Sequence, residues 1–180
     1  MNLLAFTGVA LGAVLATLGG FLATQLTARI DRRRRTRTAA LLFGDVLSAI
    51  QVLLRTVGQE SPPVVRQERV RLGLLRALQR ELDVYSRNRE SLFEIPDPVL
   101  RAKLHSFMVR LSVGVEYLLE QQQRSGDAAP AGVPGAAVDR EAAESGVRFL
   151  IERHADLPDL LVLLAPYAKE TFDAYQAVDE

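Results

Sequence analysis

The chain has 180 residues, with 22 basic and 22 acidic side chains and a formal net charge of zero. That length fits one modest domain with an appendage, and the balanced charge excludes the global basic character of many nucleic-acid binders. The absence of cysteine excludes a disulfide framework, a zinc-thiolate site, a cysteine nucleophile and thiol redox chemistry, and two histidines, His105 and His154, are too few for a His-rich metal centre. Arg makes up 20 of the basic residues, a bias that points to a GC-rich coding sequence and a bacterial source.

No side chain between Met1 and Ala28 is charged. As a helix rising about 1.5 Å per residue, Leu3 to Leu26 reaches about 36 Å, enough for a hydrocarbon core of roughly 30 Å with some tilt. Thr7, Thr17 and Thr24 are tolerable there, because a threonine hydroxyl bonds a carbonyl one turn back. A cleaved signal peptide needs a basic leading region, and Met1-Asn2 supplies only the terminal amine. Cleavage would also leave the arginines just behind the cut, where they oppose translocation. The pattern predicts a retained transmembrane anchor over residues 1–30.

A basic juxtamembrane segment follows over residues 29–37, with Arg29, Arg32, Arg33, Arg34, Arg35 and Arg37 set against Asp31 alone. By the positive-inside rule the N-terminus lies outside and the remainder in the cytoplasm, at a bacterial inner membrane. The arginines are expected to anchor the protein on anionic headgroups, at about 1 kcal/mol each. Within the span, Gly8, Gly12, Ala16, Gly20 and Thr24 recur every four residues. Small residues at that spacing make a smooth stripe against which another helix packs closely, so a homo-oligomer is expected.

Everything beyond the anchor reads as helix, giving an all-α protein: one N-terminal transmembrane helix followed by a cytoplasmic bundle of four to five helices. No breaker separates Leu26 from Gly58, so the anchor is expected to run on into the first bundle helix, with Leu42, Val46, Ala49, Ile50, Leu53 and Val57 inward. Ser61-Pro62-Pro63 reads as a cap for a second helix reaching about Phe93, with Leu74, Leu75, Leu78, Leu82 and Tyr85 inward. Asp97-Pro98 caps a third, to about Arg124, whose stripe is Leu100, Leu104, Phe107, Leu111, Val115, Leu118 and Leu119. Helices one to three thus occupy residues 38–125. Residues 126–136 read as a flexible linker rich in Gly, Pro and Ala.

The C-terminal helices of the bundle fill residues 137–180. A fourth covers about Val138 to His154, with Ala143, Val147, Leu150 and Ile151 inward. A fifth covers about Leu157 to Val178, with Leu157, Leu161, Leu164, Ala168, Phe172 and Tyr175 inward. Pro166, in its middle, is expected to kink or split it, because the Val162 carbonyl loses its partner. Residues 38–126 carry 12 basic and 10 acidic side chains, whereas residues 127–180 carry 4 basic and 11 acidic. The acidic end either packs on the Arg-rich faces of helices two and three or stays solvated, away from anionic lipid.

Motifs for catalysis are sparse. The chain has no GxxxxGK[ST], GxGxxG, HExxH, ExxH or GxSxG, so phosphate-loop, dinucleotide, zincin, di-iron and nucleophile-elbow chemistry have no sequence basis. No cofactor, metal or catalytic residue is expected, and nucleic acid is not an expected partner. His105, beside the third helix's stripe and one turn after Arg101, is expected to bond a carbonyl or carboxylate. Tyr85-Ser86-Arg87-Asn88-Arg89-Glu90, with Arg80, Glu81 and Asp83, reads as a solvated polar face or a small anion site.

Arg148 to His154, reading Arg-Phe-Leu-Ile-Glu-Arg-His, places five residues between an arginine and a histidine on a bundle helix. This segment resembles the RX4-6H signature of HEPN ribonucleases. The resemblance implies that Arg148 and His154 of paired protomers form a cleavage site. It covers seven residues, and Phe149 stands where that family usually has a polar side chain.

Three functions follow as expectations. The first is a non-enzymatic, single-pass inner-membrane protein whose bundle mediates oligomerisation or binds a protein partner, held on the anionic bilayer. The second is an oligomeric pore or membrane-perturbing effector of the bacterial-defence kind, which a ring of single spans would build. The third is a ribonuclease using Arg148 and His154.

Overall fold

The computed structural model describes residues 3–59, 64–127, 136–169 and 172. Among these residues there is no strand, and five α-helices appear in order: α1 (Leu3–Gln59), α2 (Val64–Arg87), α3 (Pro98–Asp127), α4 (Ala136–His154) and α5 (Leu157–Ala168), with a 3-10 turn (Arg89–Glu94) between α2 and α3. The expected all-α class is the observed one. The N-terminal apolar stretch and the first bundle helix are a single helix of 57 residues, as the lack of any breaker between Leu26 and Gly58 implies. The capping sequence Ser61-Pro62-Pro63, most of the 126–136 linker and Tyr175 lie outside the described residues.

One core holds the bundle together. The C-terminal half of α1 packs against α2, α4, α5 and the 3-10 turn, and α3 packs against α2, α4 and α5. Ala39, Ala40, Phe43, Leu47, Ile50 and Leu54 of α1 are buried. The expected stripe is therefore turned toward Phe43 and Leu47 by somewhat less than one residue, with Leu42, Ala49 and Leu53 only half-buried. Partners on several sides of α1 widen its buried face, and Asp45, Val52 and Arg55 remain on the wet one. Val57 lies outside the described side chains. Gly44 is needed at its position because the Phe172 ring lies against it, in the space a Cβ would occupy.

Helix α3 carries most of its expected stripe, with Leu100, Leu104, Phe107, Leu111, Val115 and Leu118 buried, Met108 added and Leu119 only half-buried. Asp97 caps it: its Oδ1 accepts from Val99 N at 2.8 Å and from Leu100 N at 3.3 Å. Helix α2 stops earlier than expected, at Arg87 rather than near Phe93. Asn88 turns its side-chain amide back to the Val84 carbonyl, at 2.8 Å, and Pro96 follows, so the connection tightens into the 3-10 turn.

On α4, Leu150 is buried and Val147 half-buried, but Ile151 is exposed, contrary to expectation, while Ala143 lies outside the described side chains. Helix α5 buries Leu157, Leu160, Leu161, Leu164 and Ala168. It ends at Ala168 instead of continuing to Val178. Lys169 adopts the left-handed conformation, with φ at 57°, and donates its N–H to Ala165 O at 2.9 Å. Pro166 therefore sits in the last turn rather than mid-helix. There, the carbonyl that it strips of a partner belongs to Val162, which is 70% exposed and faces water.

Helix α1 is long and apolar enough to cross a membrane, and it is the only such helix among the described residues. Length and apolarity are shared by core helices and membrane spans, and α1 contains one stretch buried in the bundle and another that is not. Every described side chain from Leu15 to Arg35 is exposed. Leu15, Leu18, Phe21, Leu22, Leu26 and Ile30 are all at least half accessible. At 3.6 residues per turn these large side chains cover one half of the circumference, and Ala16, Gly20, Ala23 and Thr24 fill the other. Thr24 and Thr27 return their hydroxyls to the carbonyls of Gly20 and Ala23, each at 2.9 Å, so this stretch satisfies them internally.

Candidate functional site

The zone of interest is where the exposed half of α1 enters the bundle, because apolar surface, positive charge and tertiary contacts meet there. Arg29, Arg32, Arg33 and Arg34 are exposed on the helix surface. The last turn of the basic run is tied to the fold instead. Thr36 donates its hydroxyl to the Glu94 carbonyl at 2.8 Å, and Arg35 lies 4.0 Å from the Glu94 carboxylate. Arg37 donates through Nε to the Ala168 carbonyl at 3.1 Å, a cation on the unsatisfied, partially negative end of α5. All six arginines remain exposed, and two of them, Arg35 and Arg37, also reach groups of the fold.

These contacts bring the 3-10 turn, the start of α3 and the end of α5 level with the arginine run. Phe93 stands 76% exposed there, the most exposed large apolar side chain among the described residues. The Arg101 guanidinium lies 5.9 Å from the centre of its ring and donates to the Ile95 carbonyl at 3.0 Å. Lys169 sits one residue beyond the carbonyl that Arg37 holds. Periodicity does not single out Thr36, Phe93 or Lys169, since it does not say which helix ends meet.

Along the small-residue stripe, added side-chain carbons at Gly12 and Gly20 would meet nothing within 4 Å, and Ala16 is exposed. The stripe is uncovered within the chain at these positions. The surroundings of Gly8 lie outside the described residues.

A second polar cluster joins α2 to α3. Tyr85 Oη lies 2.8 Å from His105 Nδ1, and Arg89 Nη2 lies 3.5 Å from His105 Nε2. His105 therefore bonds a phenol and a guanidinium rather than the expected carbonyl or carboxylate. A guanidinium only donates, so the Arg89 contact uses Nε2 as an acceptor. Burial pushes the Tyr85 hydroxyl above its usual pKa, with the Arg89 charge opposing. The polar patch thus splits: Tyr85 faces the core, while Ser86, Arg87 and Arg89 are exposed.

Arg148 and His154 stand about 120° apart around α4 at 3.6 residues per turn, so they do not converge within one chain. Arg148 is exposed, and His154 Nε2 is buried with no hydrogen-bond partner among the described residues. The intervening Arg153 stacks on Phe149, 5.4 Å from the ring centre, and pairs with Asp156 at 3.1 Å. Asp156 and Asp159 line the groove between α3 and α5 together with Lys103 and Arg110. Among the described residues no three His, Asp or Glu side chains gather as a metal site would require.

Comparison with known families, with curated proteins and with solved structures finds no match to this chain.

Proposed function

We propose that this is a single-pass membrane protein of the bacterial inner membrane, non-enzymatic, whose helical bundle lies in the cytoplasm and serves oligomerisation or partner binding. The observation that carries the reading is the stretch of α1 from Leu15 to Ala28, without a charge on any face before Arg29, uncovered by the other described residues and continuous with a bundle core. In water such a surface is costly at about 25 cal/mol per Å² of apolar area, and a bilayer removes that cost. The exposed arginines immediately behind it support retention and an outside N-terminus.

The test uses the absence of native cysteine. Single variants Asn2→Cys and Ser106→Cys are treated with a membrane-impermeant maleimide in intact and in permeabilised cells. The expected pattern is labelling of the first from outside and of the second only after permeabilisation. Release of the protein by alkaline carbonate overturns the span, and the reversed labelling pattern overturns the orientation.

Self-association rests on the uncovered stripe. Gly12→Ile with Gly20→Ile is expected to lower the mass of the full-length protein in mild detergent, as read by light scattering, while leaving the thermal unfolding of the bundle unchanged. An unchanged mass removes the stripe as the contact. A wild-type mass of six or more copies accompanied by ion conductance replaces the scaffold with a pore, and RNA cleavage lost in His154→Ala replaces it with a nuclease.

A further inference from the structure

We infer that the end of the bundle surrounding the emergence of α1 is itself a lipid-binding surface, built to lie on anionic headgroups with Phe93 seated in the interfacial layer. This rests on the reading of α1 as a membrane span and adds to it: the folded domain, besides its anchor, engages the bilayer.

Three observations place the surface. The contacts of Thr36 with Glu94 and of Arg37 with Ala168 fix the 3-10 turn and the end of α5 at the height of the arginine run. Ile30, the last large apolar side chain of the exposed half, precedes Thr36 by six residues, about 9 Å along a helix axis. A headgroup layer is roughly 5–7 Å thick on each side of the hydrocarbon, so this end of the bundle stands where headgroups meet water, within reach of a phenylalanine side chain. At that height Phe93 is the most exposed large apolar side chain described, and its ring is outside the buried core, touched by the Arg101 guanidinium.

Charge is complementary to such a surface. Arg29, Arg32, Arg33 and Arg34 spread over more than half of the helix circumference, Arg101 lies against the Phe93 ring, and Lys169 adds a cation at the tip of α5. Two nearby carboxylates are engaged: Glu94 with Arg35, and Asp97 with the first amides of α3. Asp31 in the basic run, Glu90 in the turn and Glu170 next to Lys169 in the sequence are outnumbered by those cations. An aromatic ring flanked by arginines matches the make-up of surfaces that settle between headgroups and acyl chains. A protein partner would have no need for the patch to sit where α1 leaves the bundle.

The chain contains no tryptophan, so a single introduced indole reports its own surroundings. Full-length Phe93→Trp, Phe21→Trp and Val113→Trp are reconstituted in phosphatidylcholine vesicles containing phosphatidylglycerol. All three native side chains are exposed, at 76%, 61% and 62% respectively, and circular dichroism checks that each variant keeps its helix content. The indole of Phe93→Trp is expected to lose about half of its emission to lipids brominated near the headgroup end of the acyl chains, and to be shielded from acrylamide. The indole of Val113→Trp, farther along α3, is expected to show neither effect.

Bromolipid quenching in Phe21→Trp, with Phe93→Trp as open to acrylamide as Val113→Trp, leaves the span standing and overturns the surface. Absence of bromolipid quenching in Phe21→Trp overturns the span itself, and the inference with it. Equal protection of Phe93→Trp in vesicles of phosphatidylcholine alone overturns the assignment to anionic headgroups.

Discussion

Residues 15–30 and residues 39–54 of α1 draw on the same few apolar side chains, yet the first group stands clear of the chain and the second is the centre of its core. Apolarity does not separate them. The C-terminal half keeps Asp45, Val52 and Arg55 on an exposed face and buries Phe43, Leu47, Ile50 and Leu54 on the other, as a helix in water must. The N-terminal half has no charged face, and its two sides differ instead in size, large on one and small on the other. One helix thus carries two solutions to the burial of apolar surface, and the arginines mark the change from one to the other.

The largest effect that distinguishes the halves comes from charge. Leu15→Arg with Leu18→Arg is expected to cost about 5–7 kcal/mol of membrane insertion, at roughly 2.5–3.5 kcal/mol for each arginine near a span's centre. Fractionation should then find the protein outside the membrane with its bundle still folded; retention of the double variant in the membrane would break the comparison. Next is Leu47→Ala, fully buried, expected to lower bundle stability by about 2–5 kcal/mol. The matching Leu22→Ala, 59% exposed, should leave thermal unfolding of the bundle in detergent unchanged.

Smaller effects sharpen the boundary between the halves. Thr36→Val removes the hydroxyl held by the Glu94 carbonyl and is expected to cost about 1 kcal/mol in the same unfolding measurement. An ultraviolet titration of the phenols should show Tyr85 ionising later than an ordinary tyrosine, whose pKa is about 10. The late phase should vanish in Tyr85→Phe. Because the folded pKa is raised, the unfolded chain gives up this proton first as pH rises. The stability associated with Tyr85 is therefore present below about pH 10 and is lost as pH climbs from there through the folded value.

Much of the fold is legible in the order of residues. The stripe of α3 and its Asp97 cap follow from spacing and from the capping chemistry of a carboxylate, and the continuity of α1 follows from the lack of any breaker. The differences cluster where a neighbour decides. Ser91-Leu92-Phe93 continues an acceptable helical pattern, and the Asn88 amide turning back to Val84, with Pro96 beyond, goes with the end of α2 ahead of it. Periodicity alone sets the α1 stripe about 70° off, because a helix packed on several sides buries residues that a single apolar face would leave wet. The docking of Thr36 and Arg37 joins positions 58 and 131 residues apart, and no local pattern carries that information. His105 reads as a boundary residue from its place beside the stripe, but its partners come from across the α2–α3 contact.

The unbroken α1 has a mechanical consequence. A helix of 57 residues is about 86 Å long, and this one has neither proline nor glycine between Gly20 and Gly44, where its exposed half gives way to its buried half. Its buried half is the axle around which α2, α4 and α5 are mounted. A turn or tilt imposed on the exposed half is therefore delivered directly to the core, with no flexible coupling to absorb it.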